Sequence, residues 1–233
     1  MLDVSIIIPA YKEEERLGAS LQKINEYFSE LPYKYEIIVV DDGSKDKTAE
    51  IAKTYPNVQV LIQEINQGKG AAVRRGILEA KGKFRLFTDA DLSTPIYEFE
   101  KLFKEYKNGY DIVIGSRAID YSMIKVHQPF YREMMGKTFN KIVQFLVVKG
   151  ISDTQCGFKG MSDKAAIEIF SKCKINGFGF DVEMLYVANK LKYKIKEISV
   201  EWYNDNRSKV DPIKDSIKML QEILKIRSIH KNG

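Results

Sequence analysis

Short, almost wholly apolar runs recur through the first half of the chain, each of the first four followed by a stretch with helical spacing. The runs are Val4–Ile8, Glu36–Val40, Val58–Ile62, Lys83–Thr88 and Asp111–Ile114; the helical stretches lie near Glu14–Phe28, Lys47–Lys53, Lys69–Ala80 and Pro95–Tyr106. A strand such as Ser5–Ile8 or Ile37–Val40, with no polar residue at every second position, is buried on both sheet faces. Strands of that kind alternating with helices form right-handed crossovers on a mostly parallel sheet. The second half predicts a helix over Phe130–Val148, a strand over Gly157–Met161, helices over Asp163–Lys172 and Asp181–Leu191, and a strand over Lys194–Trp202. An amphipathic helix over Ile213–Ile226 follows, with Ile213, Ile217, Leu220 and Leu224 on one face. Without an internal repeat or a linker-like segment, the expectation is an α/β chain folded as one domain over residues 1–233, its mixed sheet covered by helices on both faces.

Ligands on such sheets bind beyond the carboxyl ends of the strands. The residues there are Pro9-Ala10-Tyr11-Lys12-Glu13-Glu14, Asp41-Asp42-Gly43-Ser44, Asp89-Ala90-Asp91 and Gly115-Ser116-Arg117. Acids after a strand often serve only as turn residues or helix caps; Asp46 before Lys47, and Ser93 or Thr94 before Pro95, fit that duty, and it remains open for Asp41-Asp42. Asp89 and Asp91 are different. Two carboxylates about 4 Å apart repel by roughly 4 kcal/mol at an effective dielectric near 20, so something positive must offset them. A hard divalent cation, Mg²⁺ or Mn²⁺, does so and also bridges to phosphates. It stabilises charge developing on a leaving diphosphate.

Asn66-Gln67-Gly68-Lys69-Gly70-Ala71-Ala72 opens a helix after the third strand. A dinucleotide fingerprint would need Gly or Ala at position 73, where Val73 stands, but a glycine-flanked Lys69 at a helix start suits a nucleotide or its phosphates. His127 and His230 are the two histidines, and neither accompanies a serine–aspartate pattern. The formal charge of +5 is matched by the segment from Tyr121 to Lys174 alone, with nine basic and four acidic residues. That local surplus suits a phosphate-bearing partner or is a solvated basic face. It lacks the interleaved aromatics of a nucleic-acid surface, so no nucleic-acid partner is expected. Cys156 and Cys173 are in no metal-binding arrangement, and no basic leader or run of about 20 apolar residues occurs, so a cytoplasmic protein is expected.

Taken together, Ser5–Glu13, Val39–Asp46, Asn66–Gly70, Thr88–Leu92 and Gly115–Arg117 resemble, in order and spacing, the family 2 glycosyltransferases of the GT-A fold. Asp153–Lys159, Phe180–Leu185, Val200–Trp202 and Ser208-Lys209 narrow the resemblance to the dolichyl-phosphate β-glucosyltransferase branch and the related mannosyltransferases. The resemblance implies a nucleotide-sugar-binding half over 1–120 and an acceptor-binding half over 121–233. In it Pro9, Ala10, Tyr11 and Glu13 hold the base and ribose, Asp41 binds the base edge with Asp42 nearby, and Lys69 lies near the nucleotide. Asp89, Ala90 and Asp91 serve the diphosphate, with Asp89 and Asp91 on the metal. Arg117 and Arg132 face the acceptor phosphate, and Arg207 and Lys209 lie on a loop over the donor. Ser93 stands where the mannosyltransferases place a metal-coordinating glutamine. The implied donor is a UDP-sugar, glucose-like, with GDP-mannose as an alternative; the implied acceptor is a polyprenyl or dolichyl phosphate.

A phosphate monoester has a second pKa of about 6 and attacks without losing a proton at neutral pH. The task becomes holding two anions together, which arginines and a metal do well. In-line attack would invert the donor linkage. Asp181 or Asp153 would serve as base, or orient sugar hydroxyls, if the acceptor were instead a soluble or polysaccharide hydroxyl. A nucleotide-sugar-binding scaffold without turnover is a third reading, which the acidic pair and the paired arginines disfavour. Relatives commonly carry transmembrane helices. Here Phe130–Val148, with Phe130, Tyr131, Met134, Met135, Phe139, Ile142, Phe145 and Leu146 flanked by Arg132, Lys137, Lys141 and Lys149, has the composition either of an interfacial helix on the cytoplasmic membrane surface or of a core helix. The final helix is a second candidate, and an anchoring membrane-protein partner a third.

Overall fold

A computed structural model describes residues 2–205, 207 and 214–231, with the side chain of Phe145 outside that set. The apolar runs become β1 (Val4–Ala10), β2 (Tyr35–Asp41), β3 (Val58–Ile62), β4 (Phe84–Thr88) and β5 (Ile112–Ser116). The helices between them are α1 (Leu17–Ser29), α2 (Thr48–Lys53), α3 (Lys69–Glu79) and α4 (Phe99–Lys107). Beyond lie β6 (Ile124–Val126), α5 (Phe130–Leu146), β7 (Phe158–Ser162), α6 (Asp163–Phe170), α7 (Phe180–Lys190), β8 (Ile195–Ser199), β9 (Trp202–Tyr203) and α8 (Lys214–Ile229).

Seven strands form one sheet in the order β3-β2-β1-β4-β7-β5-β8. All neighbours are parallel except β7, which runs antiparallel between β4 and β5, with Leu86 opposite Gly160 and Val113 opposite Gly160 on the other side. The expectation of a mostly parallel, mixed sheet with helices on both faces holds. Ile6, Ile8, Phe84 and Leu86 pack against α1 and α4 residues such as Leu21, Phe28, Phe99 and Leu102. Ile7, Phe87 and Ile114 face the other way, onto Val73 and Ile77 of α3, Ile169 of α6, Leu185 of α7 and Ile223 of α8. Adjacent residues of one strand thus enter opposite cores, which is why no polar alternation appears in the sequence.

Two expected elements differ. The strand expected over Lys194–Trp202 is split: β8 ends at Ser199, and β9 leaves the sheet edge to pair with β6 through Ile124–Trp202. The departure lets the Trp202 ring stack on the Arg117 guanidinium, 5.5 Å from its centroid. The helix expected over Pro95–Tyr106 begins instead as a 3₁₀ turn, Ile96–Glu98. Asp46 does orient the start of α2, accepting from the Thr48 amide and hydroxyl at 3.0 and 2.5 Å. Neither Ser93 nor Thr94 caps α4; the Thr94 hydroxyl faces Cys156 Sγ at 3.8 Å. Ile213 lies outside the described residues.

Candidate active site

β1, β2, β4 and β5 end at one edge of the sheet, and there the expected residues gather. Pro9 and Ala10 belong to β1 itself, paired with Val40 and Asp41. Tyr11 follows them half-exposed, its ring beneath Lys12 Nζ at 5.1 Å. Asp41 is buried, its Oδ1 accepting from the Ser44 amide at 3.1 Å. Asp42 turns inward: its carboxylate accepts from Gln63 Nε2 and from the amides of Gln67 and Gly68, the last two at 2.8 Å. It therefore holds the turn that presents Lys69, and a nucleotide would compete with three donors already in place. That turn needs glycine, since Gly68 has φ +105° and its missing Cβ leaves room for the Asn176 carbonyl.

Lys69, thus placed at the start of α3, meets Asp89 Oδ1 at 2.6 Å. Burial alone would lower the Lys69 pKa; the charges of Asp89 and Asp181 outweigh it and raise it. Gly157 lies flat against the Asp89 carboxylate, where any Cβ would collide. Ala90 is fixed through its carbonyl, which accepts from Ser20 Oγ at 2.6 Å. Asp91 accepts from the Ser93 amide at 2.9 Å and faces Arg16 Nη1 at 3.5 Å. Burial, then the charge of Asp89, pushes the Asp91 carboxyl above its ordinary range. Asp89 has Lys69 against it, but Asp91, with Asp89 nearby and its cation 3.5 Å away, is incompletely compensated, which is the electrostatic condition a divalent cation relieves. Two carboxylates with substrate oxygens completing the shell suit Mg²⁺ or Mn²⁺.

Arg117, after β5, grips buried Asp153 by Nε and Nη2 at 2.7 and 2.9 Å, and its amide donates to the same carboxylate at 3.0 Å. Nη1 makes no hydrogen bond among the described residues. Burial would push the Asp153 carboxyl up, but the Arg117 charge wins and holds it at about 2. This makes Asp153 a poor base. A carboxyl depressed on folding adds stability that is present above its ordinary value of 3.8 and lost as pH falls through the folded one. Acid unfolding should show the wild type losing about 2 kcal/mol relative to Asp153→Asn between pH 5 and pH 2; parallel curves would contradict this.

Asp181 sits in the first turn of α7, buried, with Lys159 Nζ at 2.5 Å. Burial raises its pKa against the pull of Lys159 and Lys69, so of the two acids considered as bases it holds a proton more readily. Arg132 is in the first turn of α5, and among the described residues its buried Nε has no hydrogen-bond partner. Arg207 is exposed and doubly bonded to Asp205 at 3.0 and 2.7 Å. Ser208 and Lys209 lie outside the described residues.

Three contributors escaped the sequence reading. Lys159 is fully buried in β7, a charge within an otherwise apolar strand, which is the one available signal. Arg16 joins Glu13, Asp91 and Asp205, and Glu222 of α8 accepts from the Gly179 amide at 2.8 Å, steadying the turn before Asp181. Glu13 is three residues from Arg16, but Asp91 and Asp205, like the Gly179 partner of Glu222, are distant in sequence, so no local pattern marks these meetings. Beside Asp91 opens a groove of about 950 Å³ lined by Tyr27, Leu92, Ile96, Tyr97, Tyr203 and Arg207. Tyr11, Asp41 and Lys69 do not line it, so it lies to one side of the expected nucleotide contacts.

Residues 5–170 match the model of glycosyl transferase family 2. The chain is 40% identical to a dolichyl-phosphate beta-glucosyltransferase of Dictyostelium discoideum, over 96% of this chain and 73% of that one. It is 36% identical to the protein of that name from Homo sapiens, over 99% and 76%, and 33% identical to that from Saccharomyces cerevisiae, over 99% and 75%. Among solved structures, glucosyl-3-phosphoglycerate synthase from Mycobacterium tuberculosis, in complex with Mn²⁺, UDP-glucose and phosphoglyceric acid, superposes with a TM-score of 0.72 at 17% identity, covering 100% of this chain and 82% of that one. Mannosyl-3-phosphoglycerate synthase from Rubrobacter xylanophilus gives 0.70 at 18%, covering 97% and 73%. These likenesses bear on the fold.

Proposed function

The chain belongs to glycosyl transferase family 2, and from that membership we propose that it moves glucose from UDP-glucose to a polyprenyl phosphate of the dolichyl kind, inverting the sugar linkage. One observation carries the reading: the acidic pair at the end of β4 and the Arg117 fork at the end of β5 flank the start of β7. Charges fit to hold a donor diphosphate and an acceptor phosphate thus share one sheet edge.

Tyr11 and Asp41 take the uridine, and Lys69 the diphosphate, releasing Asp89 as it does so. Asp89 and Asp91 are the residues that would hold Mg²⁺ or Mn²⁺, which when bound supplies charge stabilisation for the departing UDP. Arg117, its fork fixed by Asp153, offers Nη1 to the acceptor phosphate, and Arg132 adds a second cation. The phosphate arrives already ionised, so no residue need take a proton at the attacking oxygen. Asp181, carried by Lys159, orients the sugar. Arg207, which lines the groove beside Asp91, serves the donor side.

The acceptor is a membrane lipid, and α5 is the surface we assign to it. Phe130 and Tyr131 are 77% and 56% exposed, Met134 is 46%, and exposed Lys137 and Lys141 accompany them. Phe139 and Val143 on the other side are buried in the core. The helix thus serves both purposes, core on one face and interface on the other. Ile217 and Leu224 of α8 are also exposed, and an apolar groove between the helices takes in Met134, Met135, Phe139 and Ile142. Among the described residues no helix is long and apolar enough to cross a membrane. The attachment assigned here to α5 is a peripheral one, at the cytoplasmic face. Phe130→Asp with Met134→Asp should reduce co-sedimentation with anionic vesicles about tenfold while leaving UDP affinity unchanged; full retention on vesicles would count against the assignment.

The deciding experiment offers labelled UDP-glucose with and without polyprenyl phosphate. Label should enter the lipid phase only with the phosphate present. Transfer to a soluble or polysaccharide hydroxyl, at the same rate without lipid, would overturn the acceptor.

A further inference from the structure

The Arg16 side chain is 9% exposed and lies among three carboxylates from three separate segments: Glu13 after β1, Asp91 after β4 and Asp205 after β9. Its bonds are unequal. Nε and Nη2 hold both oxygens of Glu13 at 2.6 and 2.7 Å, a tight fork. Nη1 is left 3.5 Å from Asp91 and 3.4 Å from Asp205, at the outer limit of a hydrogen bond to either. The guanidinium is thus anchored along one edge and nearly equidistant from two acids at its free corner. Asp205 is itself held by Arg207 at 2.7 Å, so it is an acceptor fixed in position.

This arrangement has an electrostatic consequence that rests on Asp91 being a metal ligand, as proposed above. An incoming divalent ion would meet a positive charge already at that carboxylate. Arg16 cannot withdraw, because Glu13 holds it, but a small rotation of Nη1 exchanges Asp91 for Asp205. We infer that Arg16 is the exchangeable counter-cation of Asp91: it neutralises that carboxylate in the absence of a divalent ion and turns to Asp205 when one binds. Arg16 is then a positioning residue that sets metal affinity, and Asp205 is the acceptor that makes the exchange favourable.

The two residues therefore act in opposite directions. With UDP at saturation, the Mn²⁺ dissociation constant is read from the electron paramagnetic resonance of the free ion on the full chain. Arg16→Gln, which removes the competing charge, should tighten Mn²⁺ about tenfold. Asp205→Asn, which removes the place for that charge to go, should weaken it about fivefold, and this loss should vanish in the Arg16→Gln background. Arg16→Lys, which keeps a competing charge, should stay within about twofold of wild type. Melting curves check each variant; should Arg16→Gln fail to fold, Arg16→Met, which likewise removes the charge, takes its place alone and with Asp205→Asn. The inference is overturned if Arg16→Gln leaves Mn²⁺ affinity unchanged or weakens it, as a purely structural arginine would. It is overturned too if Asp205→Asn weakens binding equally in the Arg16→Gln background, which would make Asp205 a ligand of the ion. A wild type that retains no Mn²⁺ with UDP present overturns the metal assignment to the acidic pair as well, and so separates that failure from the others.

Discussion

Asp91→Ala is expected to reduce kcat/KM for sugar transfer by about 10³-fold and, at the same time, to raise the melting temperature at neutral pH. The two effects share a cause. Burial and the neighbouring Asp89 push the Asp91 carboxyl above its ordinary value of 3.8. An acid whose pKa rises on folding is ionised less readily in the native state. Keeping it charged therefore costs stability once pH passes the unfolded value, and costs it in full above the folded one. Below the ordinary value both states are protonated and the cost disappears. The stabilisation by Asp91→Ala should accordingly be present at pH 7 and close as pH falls to about 3. Arg16 loses one of its carboxylates but keeps Glu13 and Asp205, so no unpaired buried charge is created. Enzyme at full turnover after complete chelation of divalent metal would sink the role of this pair, as would a variant that melts lower at pH 7.

Arg117→Lys should lower kcat/KM for the polyprenyl phosphate by about 10²-fold while leaving UDP affinity within about twofold. The choice of lysine matters. Arg117→Ala would strand Asp153, which is 1% exposed, and stranding a buried charge costs about 3–5 kcal/mol, so lost activity would be confounded with lost fold. Lysine keeps one positive charge against Asp153 but cannot hold it with two nitrogens while presenting a third to an acceptor. It also lacks the flat face that stacks on Trp202. Equal losses in donor and acceptor use would move Arg117 out of the acceptor role and into general support of the sheet edge.

The sequence made the parallel part of the architecture legible because buried strands leave continuous apolar runs; β1, buried at every residue from Val4 to Ala10, shows this over Val4–Ile8. It also exposed Asp89 and Asp91, since acids after an apolar strand can hardly avoid the sheet edge. It did not disclose the direction of β7. Phe158–Ser162 reads the same whichever way it runs, and only its partners set it antiparallel. The resemblance sets Asp42 beside the base-binding Asp41; that its carboxylate accepts from Gln63 and from the amides of Gln67 and Gly68 is something no short stretch of sequence announces. Arg16, Asp91 and Asp205 meet across long separations, and no window of residues contains that meeting.

That reversed strand also governs the order in which the molecule can be assembled. β5 is synthesised well before β7, yet it has no place in the sheet until β7 lies along β4, because among the described residues β7 alone joins them. A nascent chain that has emerged only as far as β5 holds its acidic pair at a bare sheet margin, with its arginine fork detached. Long-range closure of this kind is slow, so acceptor turnover should return in a late phase of refolding, once β7 and β5 have joined the sheet.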